Sequence, residues 1–143
     1  MIELARRKDR KRIAELDRHI PPLRLDECIR NGQVYVLRDA AMKNDGRQKP
    51  PIVGVLRYSL FWQTIPFLDL LYIDVAYRGK GFGTQMMNKW EDAMKACGYQ
   101  YVMTSTQSDE TAWRFYEKRG YRKAGEFLPP EQTAGEWLYW KQI

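Results

Sequence analysis

Histidine and cysteine are scarce: the 143 residues include one histidine, His19, and two cysteines, Cys28 and Cys97. A histidine-based triad has no other imidazole to draw on, and His19, beside the Pro21-Pro22 break, reads as a surface residue. Cysteines so far apart provide neither a metal-ligand spacing nor a disulfide framework, so no metal site is expected. No apolar run approaches the ~20 residues of a membrane span. The opening Met1-Ile2-Glu3-Leu4-Ala5-Arg6 lacks the apolar core of a secretory signal. Repeats, low-complexity tracts and linkers are missing too. The expectation is one domain over residues 1–143 in the reducing cytoplasm, with no membrane partner.

What the chain has in excess is positive charge, +6 net, part of it gathered at Arg6, Arg7, Lys8, Arg10, Lys11 and Arg12. Such a run either contacts nucleic acid or is the solvated face of a helix whose apolar face is Ile13, Leu16 and Ile20. No aromatics interleave with it, as base-stacking platforms require, so the solvated face is the better reading and a nucleic-acid partner is not expected. The overall basicity suits an anionic ligand without identifying one.

Residues 1–6 read as a short strand and 9–17 as a helix that Pro21-Pro22 breaks. Residues 23–30 form a second helical piece ending at Asn31-Gly32. Apolar strands follow at 34–37 and 52–61, joined through Asn44-Asp45-Gly46 and Pro50-Pro51, and a turn over 62–66 leads to a strand at 67–75. From 85 to 97, Met86, Trp90, Ala93 and Cys97 recur at helical spacing, with Gly98 as the stop. A strand at 99–106, a helix at 109–119 closed by Gly120, and a strand pair at 121–128 and 135–141 complete the chain. This order predicts a single α/β (α+β) domain whose central mixed, mostly antiparallel sheet carries helices on both faces.

The chemistry-bearing stretch is Arg78-Gly79-Lys80-Gly81-Phe82-Gly83-Thr84, between the strand and the longest amphipathic run. Alternate glycines let a backbone approach a ligand closely, and a helix opening there aims its first N–H groups at one point. That is an anion site, with Arg78 and Lys80 adding charge. The dinucleotide fingerprint fails because the glycines run G-x-G-x-G in mid-chain, and the P-loop fails because Gly81 follows Lys80. The pattern Arg-x-x-Gly-x-Gly, on Arg78, Gly81 and Gly83, remains.

That pattern resembles the acyl-CoA signature of the GNAT superfamily of N-acetyltransferases. A second block, Ser108-Asp109-Glu110-Thr111-Ala112-Trp113-Arg114-Phe115-Tyr116-Glu117-Lys118-Arg119-Gly120-Tyr121, is similar to the family's late helix, in the family order. Specific likeness covers roughly residues 66–128. The resemblance implies a GNAT-like fold, acetyl-CoA as co-substrate and direct transfer to a primary amine, small molecule or peptide, and it admits a homodimer. A non-catalytic acyl-CoA-binding module is the rival reading. The family commonly has Asn where Asp109 stands. Asp109 is therefore either a cofactor contact or a helix N-cap, and the cap is favoured.

Direct transfer needs a neutral amine, a polarised carbonyl and a proton for the leaving thiolate. The resemblance assigns the polarising backbone N–H groups to the region of Ile73, Asp74 and Val75, and the general acid to Tyr116, which otherwise reads as a core residue. Asp69 is the candidate general base: alternation from Ile73 puts it on the same face of the strand, broadly where the family often has Glu. It reads equally as a salt-bridge residue. Trp62, Trp113, Trp137 and Trp140 either line an acceptor pocket or belong to the core.

Overall fold

Strands β2 (Val34–Arg38) and β3 (Ile52–Phe61) are buried at nearly every successive residue. A strand achieves this only where both faces of its sheet are covered. The computed structural model, which describes residues 1–42, 46 and 49–143, supplies the cover. Asn44 and Asp45 of the expected connection lie outside the described residues.

The other strands are β1 (Ile2–Leu4), β4 (Ile65–Ile73), β5 (Tyr101–Gln107), β6 (Arg122–Phe127) and β7 (Glu136–Gln142). They form a seven-stranded sheet in the order β1-β2-β3-β4-β5-β7-β6. Every pairing is antiparallel except β4 with β5. Helices α1 (Arg10–Leu16) and α2 (Pro22–Arg30) cover one face, where Ile13 and Leu25 pack on Val34, Val36 and Val55. Helices α3 (Phe82–Ala96) and α4 (Ala112–Lys118) cover the other, where Met86, Met87, Trp90 and Tyr116 meet Leu56, Leu68, Val102 and Tyr139. The mixed, mostly antiparallel sheet with helices on both faces is as expected.

The element edges differ for local reasons. Trp62 and Gln63 both take positive φ, 54° and 62°, in a three-residue connection in which Thr64 N–H donates to Phe61 O at 3.0 Å. This primed geometry suits a tight hairpin, so β4 starts at Ile65 and pairs with β3 where a five-residue turn was expected. Pro22 opens α2 instead of only breaking a helix, because a first-turn residue needs no N–H partner. Helix α4 starts at Ala112, three residues later than expected, and Asp109 caps nothing. At the other end of α4, Tyr121 N–H reaches Tyr116 O and Gly120 N–H reaches Glu117 O, with Gly120 at φ 91°. This closure turns Tyr121 back under the helix.

Two features of β4 set up everything downstream. Arg57 pairs with Leu70 while Tyr58 pairs with Leu68, so Asp69 is the extra residue of a bulge. Leu68 faces the α3 side before the bulge, and Leu71 and Ile73 face it afterwards. Asp69 therefore lies on the opposite face from Ile73. The second feature is the brevity of the parallel pairing: β4 and β5 are joined only at Phe67–Met103 and Leu68–Thr104. Beyond Leu68 the strands part.

Buried charges are tied in clusters. Arg38 bonds Glu3 at 2.7 Å and Asp9 at 2.7 Å, and Lys49 also reaches Glu3 at 2.8 Å. The basic run is a solvated face, with Arg12 turned to Glu15 and Asp74. No helix among the described residues is long and apolar enough to cross a membrane.

The Glu3 cluster makes stability depend on pH. Hydrogen bonds first from Lys49 and then from Arg38 hold the Glu3 carboxyl at about 2, against an ordinary 4.5. A folded-state value below the unfolded one stabilises fully above the unfolded value and is lost as pH falls towards the folded one. The melting temperature of Glu3→Gln should thus lie below wild type at neutral pH, with the gap closing between about pH 4.5 and 2. A gap that is the same at both ends of that range would show that the Glu3 carboxylate contributes nothing as an ion.

Candidate active site

The α3 N-terminus opens into a cleft of about 430 Å³, and Gly79, Gly81, Phe82, Gly83 and Thr84 line that end of it. Such a volume falls in the ligand range. Gly81 takes φ 83° and ψ 4°, a left-handed conformation that a side chain resists, and its carbonyl accepts the first helical bond, from Gln85 N–H at 3.1 Å. The N–H groups of Phe82, Gly83 and Thr84 therefore have no partner within the helix. They stand at the positive end of a 15-residue helix. Such a helix start suits an anion.

Arg78 and Lys80 do not reach in as expected. Arg78 folds back, its Nε donating to Ile73 O at 2.7 Å and its guanidinium 5.2 Å from the Tyr72 ring centroid. The Lys80 ammonium lies 5.7 Å from the Tyr77 ring centroid. Arg78 still lines the cleft, whereas Lys80 does not.

From the helix end the cleft runs along β4 past Ile73, Tyr72 and Leu71 to Phe115 and Tyr116 of α4. Asp74 N–H donates to Val53 O at 2.8 Å. Ladder polar groups alternate along an antiparallel strand, so those of Ile73 and Leu71 point the other way, into the gap left by β5. This corrects the expectation for the neighbouring residues. The Asp74 N–H is already engaged by β3, the Asp74 side chain points to Arg12 at 3.4 Å, and Val75 is exposed outside the cleft. Asp109 is also absent from the lining, because it lies in the turn ahead of α4.

Tyr116 is 7% exposed, and burial pushes its hydroxyl up to about 12, with the hydrogen-bonded Thr104 hydroxyl pulling the other way. The Thr104 hydroxyl donates to Leu68 O at 3.1 Å. Leu68 and Thr104 are the last residues at which β4 and β5 pair, so the phenol stands at the point where the strands part. Its helix is anchored from below: Glu91 of α3 accepts from Arg119 at 2.9 Å, from Tyr121 at 2.8 Å and from Lys141 at 3.0 Å.

Asp69 lies across the sheet, correcting the expectation that it shares a face with Ile73; the bulge breaks the alternation on which that rested. Its side chain is 25% exposed, and Arg57 Nη1 is 3.5 Å away while Arg57 Nε is bonded to the buried Asp17 at 2.6 Å. Burial raises the Asp69 carboxyl above the ordinary carboxylate range, with Ser59 and Arg57 opposing it. His19 is exposed, as expected. Sequence reasoning missed Tyr77, whose hydroxyl bonds Asp39 at 2.6 Å, and the Arg57–Asp17 pair. A lone Arg in the apolar run Ile52–Phe61 was the available signal for the pair.

A family model described as Acetyltransferase (GNAT) family matches residues 3–121. The chain belongs to that family. The chain is 32% identical over 94 residues to the uncharacterized protein YxbD of Bacillus subtilis (strain 168), across 65% of its own length and 55% of that protein's. The chain thus spans about half the length of that relative. In fold it is similar to Ard1 from Thermoplasma volcanium, with TM-score 0.82 and 18% identity over 100% of this chain and 97% of that one. It is also similar to N-acetylglutamate synthase from Neisseria gonorrhoeae complexed with coenzyme A and N-acetyl-glutamate, with TM-score 0.78 and 16% identity over 100% of this chain and 35% of that one.

The two loop glycines should respond differently to alanine. A Cβ at Gly81 meets nothing within 4 Å, but its φ of +83° strains any side chain, at a cost of about 1–2 kcal/mol. A Cβ at Gly83 meets Leu71 and Phe115 at the ordinary contacts of 3.8 and 3.9 Å, in helical backbone that favours alanine. Thermal unfolding should show Gly81→Ala destabilised and Gly83→Ala unchanged or slightly stabilised. Equal losses in both would mean that crowding, not backbone strain, governs the loop.

Proposed function

We propose that this protein is an acetyl-CoA-dependent N-acetyltransferase that moves an acetyl group directly to a primary amine while both substrates are bound. The observation that carries the reading is one continuous cleft from the N-terminal N–H groups of α3 to Tyr116, near where β4 leaves β5. The residues present fit coenzyme A. Backbone N–H groups at the α3 N-terminus suit a pyrophosphate, and the backbone of Leu71 and Ile73 offers donors and acceptors to an amide-bearing arm. The N-acetylglutamate synthase of the same fold holds coenzyme A.

Bound there, acetyl-CoA would supply a thioester whose carbonyl carbon is open to attack. The N–H groups facing the gap polarise that carbonyl, in preference to Asp74, whose N–H is engaged. Tyr116, neutral because its hydroxyl is pushed up to about 12, holds a proton for the departing sulfur. Asp69 is the proton acceptor for the amine, which reaches the gap from the α1–α2 side of the sheet. A C–N bond forms and a C–S bond breaks. The ammonium loses two protons overall, one through Asp69 to water and one that replaces the proton Tyr116 gives to sulfur.

Two variants test these roles. Tyr116→Phe should bind acetyl-CoA as wild type and lose roughly 10²–10⁴-fold in turnover. Unchanged turnover with a lower melting temperature would make Tyr116 a core residue, and tight acetyl-CoA binding without turnover on any amine would make the wild type a binding module. Asp69 must be ionised to accept a proton, so kcat/KM should rise with pH through its raised value. Asp69→Asn should lower kcat/KM and remove that acidic limb while acetyl-CoA affinity stays. A retained limb would assign deprotonation to water.

A further inference from the structure

The sheet face opposite α3 and α4 is covered by α1 and α2 only over its β1–β4 half. Across the remaining half, strand register brings Ser59, Phe67, Met103, Trp140 and Arg122 into one row spanning β3, β4, β5, β7 and β6. Phe67, Met103 and Trp140 are only partly buried and belong to neither hydrophobic core cluster. The surface continues sideways in rings. Phe67 stacks on Phe61 at 6.0 Å, Phe61 meets Trp62 at 4.7 Å, and Trp140 meets Tyr101 at 5.8 Å. Trp62 is 79% and Tyr101 41% exposed. An exposed apolar surface of this kind marks a binding site more often than chance.

The row has electrical polarity. Asp69 follows Phe67 by two residues on the same face, at the mouth of the gap, with Ser59 hydrogen-bonded to it. At the far end Arg122 lies over the Trp140 ring, 5.9 Å from its centroid. Asp69 shares the one Arg57 guanidinium with the buried Asp17, so this end keeps a net negative charge, and an amine placed on the row is drawn to Asp69 and kept from Arg122, its body lying on the rings. From Phe67 to Trp140 the row crosses two inter-strand spacings, roughly 10 Å, which leaves space for one aromatic ring and a short tether. At Phe67, Met103 and Trp140 the strand backbones are laddered on both sides. They leave no free N–H or C=O for the main chain of a peptide, and what the face offers is ring surface.

We propose that the acceptor is a small aralkylamine, whose ring lies over Phe67, Met103 and Trp140 while its nitrogen meets Asp69. The inference rests on the acetyltransferase reading above and adds the substrate class. It also assigns the indoles that sequence alone left open: Trp140 belongs to the acceptor face, whereas Trp113 and Trp137, 5.9 Å apart, pack under α4 with the core.

The test measures free thiol released from acetyl-CoA with 2-phenylethylamine, ethylamine, spermidine, lysine and a short peptide beginning with Phe. For wild type, kcat/KM for 2-phenylethylamine should exceed that for ethylamine by roughly 10–100-fold. Phe67→Ser and Trp140→Ser should each erase most of that ratio by raising KM for the ring-bearing amine, with acetyl-CoA affinity and the melting temperature as the check on folding. A preference for spermidine or lysine, or equal rates for 2-phenylethylamine and ethylamine, overturns the acceptor class and leaves the enzyme reading standing. Activity confined to the peptide overturns the small-amine assignment. Variants that convert a dimer to a monomer with unchanged KM make the face an interface between copies and overturn it too. Absence of acetyl-CoA binding in calorimetry removes the enzyme reading itself, and the acceptor assignment with it.

Discussion

The interaction on which the site depends is one that stops. Parallel strands β4 and β5 are paired at Phe67–Met103 and Leu68–Thr104, and no further. A sheet interior does not normally leave backbone polar groups without partners, because each costs free energy comparable to a lost hydrogen bond. Past Leu68 the inner edge of β4 therefore needs water or a ligand. Arg78 already answers one such group by donating to Ile73 O. The candidate site is an interrupted sheet, whose missing pairing leaves the backbone of Leu71 and Ile73 facing a gap.

The surrounding structure keeps that interruption from closing or spreading. On the α3 side, Trp90, Met86 and Met87 are fully buried under the sheet, which fixes where the helix can begin. Glu91, on the same helix, gathers Arg119, Tyr121 and Lys141, and so fastens α4 and β7 to α3. Breaking such a buried, shared carboxylate costs far more than a surface pair. One helix thus sets the position of both the glycine loop at its start and the phenol two elements later.

Much of this was legible in the chain. Helix α3 shows in the spacing of Met86, Trp90 and Ala93, and the anion loop in three alternate glycines. Both are local patterns governed by backbone conformation and side-chain period. Tyr116 was legible for a different reason, its place in a recognisable block. What escaped was non-local. Nothing near Asp74 in sequence says that its N–H is spent on Val53, and nothing near Asp109 says that α4 starts three residues later. The bulge is the clearest case. Alternation is reliable within a regular strand, but whether the strand is regular is decided by its partner, and here Arg57 and Tyr58 of β3 skip one residue.

That single skipped residue has a chemical consequence. A regular β4 would send Asp69 and Ile73 to the same face, crowding the acid into the cleft below α3 and α4. With the bulge, Ile73 and Leu71 face that cleft while Asp69 looks out on the other side, yet Asp69 and Leu68 remain neighbours at the point where β5 departs. One strand then presents unpaired backbone to the gap, apolar side chains to the α3–α4 side of the sheet and a carboxylate to the other. Two substrates entering from opposite faces need not displace each other, and each can be bound before the reacting atoms meet. Direct transfer, which demands simultaneous occupancy, is the reaction order such a partition suits.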